Sequence, residues 1–321
     1  MDENTAKHCL PLVKPLLPAY SIIKIKSGEK HKTLKTCEFI WESLIKNKAG
    51  RNSLLINLGG GVITDMGAFC AATYMRGIDF INIPTTLMGM ADAAIGGKTG
   101  IDFLGYKNMI GTFSHAGLIC IDTVFLATLK QRELVSASAE LFKHALLKNK
   151  AEVKKHLGKP FKDFSAEEKD ALIRIAIRFK SSIIASDAKE KNIRVQLNLG
   201  HTVGHALEAY MLSSGKPLLH GEAVALGLVA EVFIAHTFFE LNYDSFLNVI
   251  LWYDLNFTKP GLEKINFNTL EKIIQKDKKN NYDNSRVNDI SMVILEKEGQ
   301  YSVKQVNHSQ IREALKFLSA F

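Results

Sequence analysis

The sequence predicts an N-terminal α/β domain with a parallel sheet, followed by a mostly α-helical C-terminal domain. Residues 53–58 form a short continuous apolar run, typical of a strand buried on both faces of a parallel sheet. Helical patterns over 33–45 and 62–72 flank this run. From Phe125 onwards the pattern is helical. We therefore predict one domain over residues 1–124 and a second over 125–321.

The individual elements follow from the period of the apolar residues and from end signals. Alternation over 20–25 predicts a strand, which completes a β-α-β order with the elements at 33–45 and 53–58. Ser165 and Glu168 form a capping box that starts a helix. The predicted elements are helix 6–17, strand 20–25, helix 33–45, strand 53–58, helix 62–72, strands 80–83 and 118–122, helices 132–147, 171–184, 201–209 and 222–239, a hairpin of 291–295 with 301–305, and helix 310–318.

The composition indicates a globular protein that binds a small anion. Of the 321 residues 46% are hydrophobic, the formal net charge is +8 and the pI is about 9.1. Because the lysines are spread along the chain without interleaved aromatic residues, a small anionic molecule fits this charge better than nucleic acid or a membrane surface.

The chain carries no targeting signal that we recognise. No apolar run approaches the length that spans a bilayer, and residues 1–4 lack the basic and then apolar order of a signal peptide. We therefore expect a cytoplasmic protein. Cys9, Cys37, Cys70 and Cys120 show no C-x-x-C spacing and lie in apolar segments, so we predict buried, reduced thiols.

Two glycine-rich segments are candidate ligand sites. Gly59–Gly61 follow a predicted strand and open a helix, where backbone N–H groups favour a phosphate; a tight turn without a ligand explains them equally well. The segment 92–99 ends in Gly97-Lys98-Thr99, but the first glycine of a P-loop would fall at Asp92, so that motif fails. We expect a flexible loop there that holds Lys98 near a ligand, the alternative being a solvated surface loop.

Three histidines form a candidate metal site. His201 and His205 lie four residues apart on one helix face, and His220 opens the next helix. Imidazole nitrogens and a carboxylate suit zinc or a similar divalent ion. The alternative is a hydrogen-bonded helix face without a metal. The H-E-x-x-H arrangement of metalloproteases is absent, so the histidines alone name no reaction.

Several sequence blocks, read in order, carry a family resemblance. They are G-G-G-V-I-T-D at 59–65, T-Y-M-R-G at 73–77, P-T-T-L at 84–87, D-A-A-I-G-G-K-T-G at 92–100, G-Y-K-N-M-I-G at 105–111, A-E-L-F-K at 139–143, N-L-G-H-T-V-G-H at 198–205 and H-G-E-A-V-A at 220–225. The chain resembles the 3-dehydroquinate synthases in the order and spacing of these blocks. That family converts 3-deoxy-D-arabino-heptulosonate 7-phosphate (DAHP) to 3-dehydroquinate and phosphate, in the shikimate pathway of aromatic amino-acid biosynthesis, with NAD and a divalent metal, zinc or cobalt.

The resemblance implies a role for each matching position. It makes Glu140, His201 and His220 the metal ligands and His205 an acid/base histidine, with Glu190, Lys143 and Asn198 also assigned to catalysis. It implies a homodimer in which Arg76 reaches the neighbouring site. The implied substrate positions are Arg76, Asp92, Lys98, Asn108, Lys180, Arg194 and Lys279. The implied cofactor positions are Asp2, Asn4, Glu29, Lys32, Gly59, Gly60, Gly61, Asp65, Thr85, Thr86, Lys107 and Thr128.

The sequence departs from the family pattern in two places. It begins where the family normally has an earlier hairpin and strand, so the nucleotide-binding sheet is expected to lack its first strands. Thr64 stands where a glycine is expected and could crowd the turn before Asp65.

Other activities stay open at this point. A sibling sugar-phosphate cyclase that makes 2-deoxy-scyllo-inosose or a valiolone would share the metal and NAD motifs, but Lys143, Lys180 and Arg194 favour a substrate with a carboxylate. A metal-dependent polyol dehydrogenase and a truncated, non-catalytic homologue are the remaining alternatives. In every enzymatic reading we expect the site in the cleft between the two domains.

Overall fold

A computed structural model describes residues 1–104, 106–262, 265–275 and 289–321, which divide into two compact units. The N-terminal unit consists of residues 1–130 and 173–189, and the C-terminal unit of residues 131–172 and 190–321. The first of these boundaries falls at 130, whereas the sequence predicts a domain boundary at 124, and a segment of 17 residues from 173 to 189 returns to the first unit.

A three-stranded parallel sheet lies in the N-terminal unit. Its strand order is β1-β2-β5, and Asn57 on β1 pairs with Asn82 on β2. A separate antiparallel hairpin consists of β3 and β4. The strands are β1 (Leu55–Gly59), β2 (Phe80–Pro84), β3 (Lys98–Phe103), β4 (Tyr106–Phe113) and β5 (Leu118–Ile119). The predicted parallel sheet is confirmed.

Four helices of the N-terminal unit precede its second strand. They are α1 (Glu3–His8), α2 (Leu10–Val13), α3 (Leu34–Lys46) and α4 (Gly61–Thr73). Met66 and Cys70 of α4 pack with Cys37 of α3 and Phe80 of β2 in one buried cluster. This core fixes α4, and with it the glycine turn at its start.

Three predictions for this unit are wrong. Residues 20–25 form no strand; Ile25 alone makes a bridge, to Asp2, because no neighbouring strand pairs with the segment. The helix predicted over 6–17 is broken at Cys9, and a new helix, α2, starts at Leu10. Pro11 lies in its first turn, because proline cannot donate a backbone hydrogen bond within a helix. The loop predicted over 92–99 ends in β3, so Lys98 stands on a strand.

The C-terminal unit is mostly helical, as predicted. Its helices are α5 (Gln131–Lys148), α6 (Lys150–Lys154), the first turns of α7 (Ala166–Ser186), α8 (His201–Ser213), α9 (His220–Phe238), α10 (Tyr243–Asn256), α11 (Phe267–Gln275) and α12 (His308–Ala320). The predicted hairpin is confirmed as β6 (Asp289–Lys297) with β7 (Gln300–Asn307). The capping box at Ser165 is formed, since Ser165 and Glu168 exchange side-chain and backbone hydrogen bonds.

Helix α9 is the central element of this unit. It packs against α5, α8, α10 and α12. An 18-residue window of this 19-residue helix has a mean hydropathy of 1.4, so α9 is long and apolar enough to cross a bilayer, contrary to the prediction that no run approaches that length. Because 72% of that window is buried in the protein, this hydropathy is what a core helix requires.

The thiols are only partly as predicted. Cys9, Cys37 and Cys70 are buried and free, but Cys120 is exposed because it follows the short edge strand β5.

Candidate active site

Closely packed glycines bring three histidines of the C-terminal unit together. Gly200 adopts a left-handed conformation (φ 78°) that lets α8 begin at His201. A Cβ atom at Gly227 of α9 would lie 1.9 Å from the carbonyl oxygen of Gly200, so only glycine allows this crossing of α8 and α9. The crossing places the start of α9, at His220, beside the first turns of α8.

The histidine cluster has the dimensions of a metal site. The ring centroids lie 5.1 Å apart for His201 and His205, 5.5 Å for His201 and His220, and 5.6 Å for His205 and His220. One ring nitrogen of each lies within 4.8 Å of the others. The structure thus brings the predicted histidine pair of α8, His201 and His205, into one group with His220.

A buried ion pair adjoins this group. Glu140 and Lys143, one turn apart on α5, form a salt bridge with Lys143 only 1% exposed. Lys143 Nζ also donates to the carbonyl oxygen of Leu197 at 2.8 Å. Burial opposes ionisation of Glu140, but Lys143 and His201 outweigh it and hold the pKa of Glu140 well below its usual range. Burial, reinforced by Lys143, lowers the pKa of His201, so this imidazole is neutral.

The tautomer of His201 leaves space for a cation. His201 Nδ1 lies 3.0 Å from the carbonyl oxygen of Leu199, and because that oxygen can only accept, Nδ1 carries the proton. The lone pair of His201 Nε2 then faces Glu140 Oε1 at 3.4 Å. Glu140 Oε2 pairs with Lys143, whereas Oε1 has no hydrogen-bond partner among the described residues. Two acceptors that face each other without a proton between them fit a metal ion.

Two carboxylates that the sequence analysis missed support the histidines. Glu208 Oε2 lies 3.1 Å from His220 Nδ1. Glu231, buried on α9, accepts hydrogen bonds from the N–H groups of Gly200 at 2.6 Å and Val203 at 3.1 Å, and so caps α8. Both had a sequence signal: Glu208 is seven residues after His201 on the same helix face, and Glu231 is an isolated charge in an apolar run.

The remaining predicted residues of this unit lie in the segment before α8. Asn198 Nδ2 donates to Glu190 Oε1 at 3.1 Å, so these two predicted catalytic residues are in contact. Arg194 is buried in the turn Ile193–Asn198. Glu190 has a left-handed backbone (φ 55°), which costs energy for a residue with a Cβ atom. Lys279 lies outside the described residues.

A second group of predicted residues forms in the N-terminal unit. Lys32 Nζ lies 2.7 Å from Asp65 Oδ2 and 2.5 Å from Asn108 Oδ1. Burial raises the pKa of Asp65 to about 6 although Lys32 lowers it. Lys32 and Asp65 are both predicted cofactor positions, and Lys32 also contacts Asn108, a predicted substrate position.

The glycine turn lies against the predicted threonines. The N–H of Thr85 donates to the carbonyl oxygen of Gly59 at 2.9 Å, and a Cβ atom at Gly60 would lie 2.9 Å from Thr86. The turn opens the 13-residue helix α4, whose first N–H groups suit a phosphate. Thr64 causes no crowding, because its hydroxyl donates back to the carbonyl oxygen of Gly61 at 3.1 Å.

The other predicted positions of the N-terminal unit are distributed over several elements. Lys180 Nζ makes a salt bridge with Asp92 Oδ1 at 2.5 Å. Arg76 is exposed with a left-handed backbone (φ 70°). The rest are found as follows: Asp2 caps α1, Asn4 is exposed on α1, Glu29 is in the turn Glu29–His31, Lys98 is on β3, Lys107 is on β4, and Thr128 lies 3.8 Å from the sulfur of Cys9.

Similarity to known proteins identifies the family. The sequence models of the N-terminal and C-terminal domains of 3-dehydroquinate synthase match residues 22–136 and 137–280. A 3-dehydroquinate synthase of Parabacteroides distasonis is 36% identical over 321 residues, covering 99% of this chain and 89% of that protein. The chain belongs to the 3-dehydroquinate synthase family. The resemblance inferred from the sequence blocks is confirmed.

Solved structures share the dehydroquinate synthase fold. A 2-deoxy-scyllo-inosose synthase complexed with carbaglucose-6-phosphate, NAD+ and Co2+ has a TM-score of 0.87 at 22% identity, covering 98% of this chain and 89% of that one. The 2-epi-5-epi-valiolone synthase of Streptomyces hygroscopicus, with NAD+ and Zn2+ bound, has a TM-score of 0.82 at 26% identity, covering 99% and 89%. The predicted fold class is confirmed.

Proposed function

We propose that this chain is a 3-dehydroquinate synthase, a phosphorus–oxygen lyase that converts DAHP to 3-dehydroquinate and phosphate. The observation that carries the proposal is the similarity, over 99% of the chain, to a protein of that name. The reaction proceeds by transient oxidation of the substrate, phosphate elimination, re-reduction and intramolecular aldol closure. The cofactors are NAD and a divalent cation, zinc or cobalt, as in the cyclase structures that share the fold.

We assign the cation to Glu140, His201 and His220. The charge of Glu140, the neutral ring of His201 and the facing acceptor atoms support this ligand set. Bound there, the cation would supply Lewis acidity at the hydroxyl to be oxidised, and NAD would supply the acceptor and donor of the hydride. Lys143 keeps Glu140 ionised and holds a positive charge for an anionic substrate.

We assign proton transfer to His205, which lies one turn beyond His201 and points into the same cluster. Asn198 holds the carboxylate of Glu190, so both are oriented to assist. Arg194, Lys143 and Lys180 are assigned to the substrate carboxylate and neighbouring oxygens, because a fixed cationic field stabilises that anion. The further substrate positions are Arg76, Asp92, Lys98, Asn108 and Lys279.

We assign NAD to the N-terminal unit. The turn Gly59–Gly61 at the start of α4 presents backbone N–H groups for the pyrophosphate. Lys32 pairs with Asp65, and Thr86 lies against Gly60 of the turn, which supports assigning these positions to the cofactor. The other assigned positions are Asp2, Asn4, Glu29, Thr85, Lys107 and Thr128.

We further propose a cytoplasmic homodimer in which Arg76 contacts the substrate phosphate of the neighbouring subunit. Met75 and Arg76 both have left-handed backbones (φ 52° and 70°), a strained conformation that is kept where function requires it. Tyr106, Met109 and Phe113 on β4 are each about half exposed, which supplies apolar surface for a second copy of the chain.

A substrate panel tests the assignment. The full chain, loaded with NAD and zinc or cobalt, is given DAHP, glucose 6-phosphate or sedoheptulose 7-phosphate, and phosphate and product are measured. Phosphate from DAHP together with 3-dehydroquinate is the expected result. Turnover of either of the other two sugars assigns a sibling cyclase, and accumulation of free NADH assigns a polyol dehydrogenase. If calorimetry shows no NAD binding, the chain is a non-catalytic homologue.

A further inference from the structure

The carboxylate of Glu208 is directed at the histidine that opens α9. Glu208 lies in the middle of α8, so it caps neither end of its own helix. Its Oε2 atom reaches across to Nδ1 of His220 at 3.1 Å. An ionised carboxylate is only an acceptor, so Nδ1 of His220 donates and Nε2 keeps its lone pair. This is the tautomer that a metal bound at Nε2 requires.

His220 needs such a partner more than His201 does. The ring of His201 is buried and its Nδ1 is held by a backbone carbonyl oxygen, that of Leu199. The side chain of His220 is 32% exposed and stands at the first position of its helix, whereas that of Glu208 is 12% exposed. Packing alone therefore leaves the His220 ring freer to rotate, and the contact with Glu208 restricts it.

We infer that Glu208 is a positioning residue that fixes the tautomer and orientation of His220 for the divalent cation. The inference rests on the proposed metal site. A carboxylate behind a metal-bound histidine also makes the ring a stronger donor, and loss of such a partner typically weakens metal binding about 10- to 100-fold.

Metal affinity of the chelator-stripped full chain tests this without reference to activity. We would measure the dissociation constant of Co2+ by competition with a chelating dye, and the visible spectrum of the bound ion, for Glu208→Gln, Glu208→Asp and the wild type. Glu152→Gln is the matched control, because Glu152 has the same 12% side-chain exposure and pairs with Lys148 and Lys155 instead of a histidine. His220→Ala reports loss of the ligand itself.

We expect Glu208→Gln to bind Co2+ about 10- to 100-fold more weakly, with an altered spectrum. Glu208→Asp keeps the charge and should fall between Glu208→Gln and the wild type, which preserves the test if the first variant folds poorly. Affinity and spectrum of Glu208→Gln equal to those of Glu152→Gln, with only a lower melting temperature, would overturn the inference. If His220→Ala binds Co2+ as well as the wild type does, the proposed metal site itself is wrong, and the inference fails with it.

Discussion

Replacing Glu231 by glutamine should destabilise the C-terminal unit and weaken the metal site. The carboxylate of Glu231 accepts hydrogen bonds from the N–H groups of Gly200 at 2.6 Å and Val203 at 3.1 Å. Hydrogen bonds to a charged group contribute about 1.5–3 kcal/mol each, and a charge at a helix N-terminus up to about 2 kcal/mol. Glutamine keeps one acceptor oxygen and turns an amide towards the other donor. The expected loss in the free energy of unfolding is about 2–4 kcal/mol.

Urea unfolding of the chelator-stripped protein measures this loss. Trp252 is buried in the C-terminal unit and stacks on Phe142 with centroids 4.1 Å apart, so its fluorescence reports on that unit. A Trp41→Phe background removes the other tryptophan of the chain. Glu152→Gln is the control, for which partly exposed ion pairs predict a change of at most about 1 kcal/mol. A change for Glu231→Gln no larger than that of this control would refute the capping role.

Three further predictions use the same assay. Glu140→Gln leaves the ammonium of Lys143 buried without its carboxylate, so we expect a loss of about 3–5 kcal/mol and no Co2+ binding; unchanged metal affinity would contradict the ligand assignment. Burial lowers the pKa of His156 from 6.5 to about 4, so between these values the unfolded chain binds a proton that the folded chain does not. The free energy of unfolding therefore falls as the pH drops from 6.5 towards 4, by about 2 kcal/mol at pH 5. His156→Gln should remove this part of the pH dependence, and an unchanged pH profile of that variant would refute the prediction. Gly227→Ala forces α8 and α9 apart and should lower the free energy of unfolding by more than about 3 kcal/mol. Gly158→Ala, with no atom within 4 Å of the new Cβ, should change it by less than about 1 kcal/mol. Similar values for both variants would contradict the close crossing.

The parts of the fold that the sequence predicted well have a local signal. Apolar period and end signals located β1, β2, α3, α4 and most of the later helices, because these elements bury one face or both in the core. The segment 20–25 shows where this fails: alternation describes the residues, but a strand also needs a partner, and only Ile25 has one.

The hairpin β3–β4 is the reverse case, because it forms although the sequence pattern does not predict it. From the sequence we predict a flexible loop over 92–99 and no strand between 98 and 113. In the structure Gly100 and Gly111 face each other, and a Cβ atom at Gly111 would lie 2.0 Å from the carbonyl oxygen of Thr99. Close approach of two backbones, which only the tertiary structure reveals, explains why glycine stands there.

Some residues of the candidate site could be predicted from the sequence, and others only from the structure. The spacing of His201 and His205 places both on one helix face, so the pair was predictable, and His220 followed from its position at a helix start. The roles of Glu140 and Lys143 came from the family resemblance, and their buried ion pair needed the structure. The supporting contact of Glu208 with His220 depends on the crossing of α8 and α9, which no local pattern determines.

Phosphate release from DAHP by the chelator-stripped protein tests the central claim most directly. The full chain is assayed with NAD alone, with zinc or cobalt alone, and with both. The proposed function predicts release of phosphate, with 3-dehydroquinate formed, only when both are added. Release without the metal or without NAD, or no release from DAHP by a protein that binds both, would contradict it.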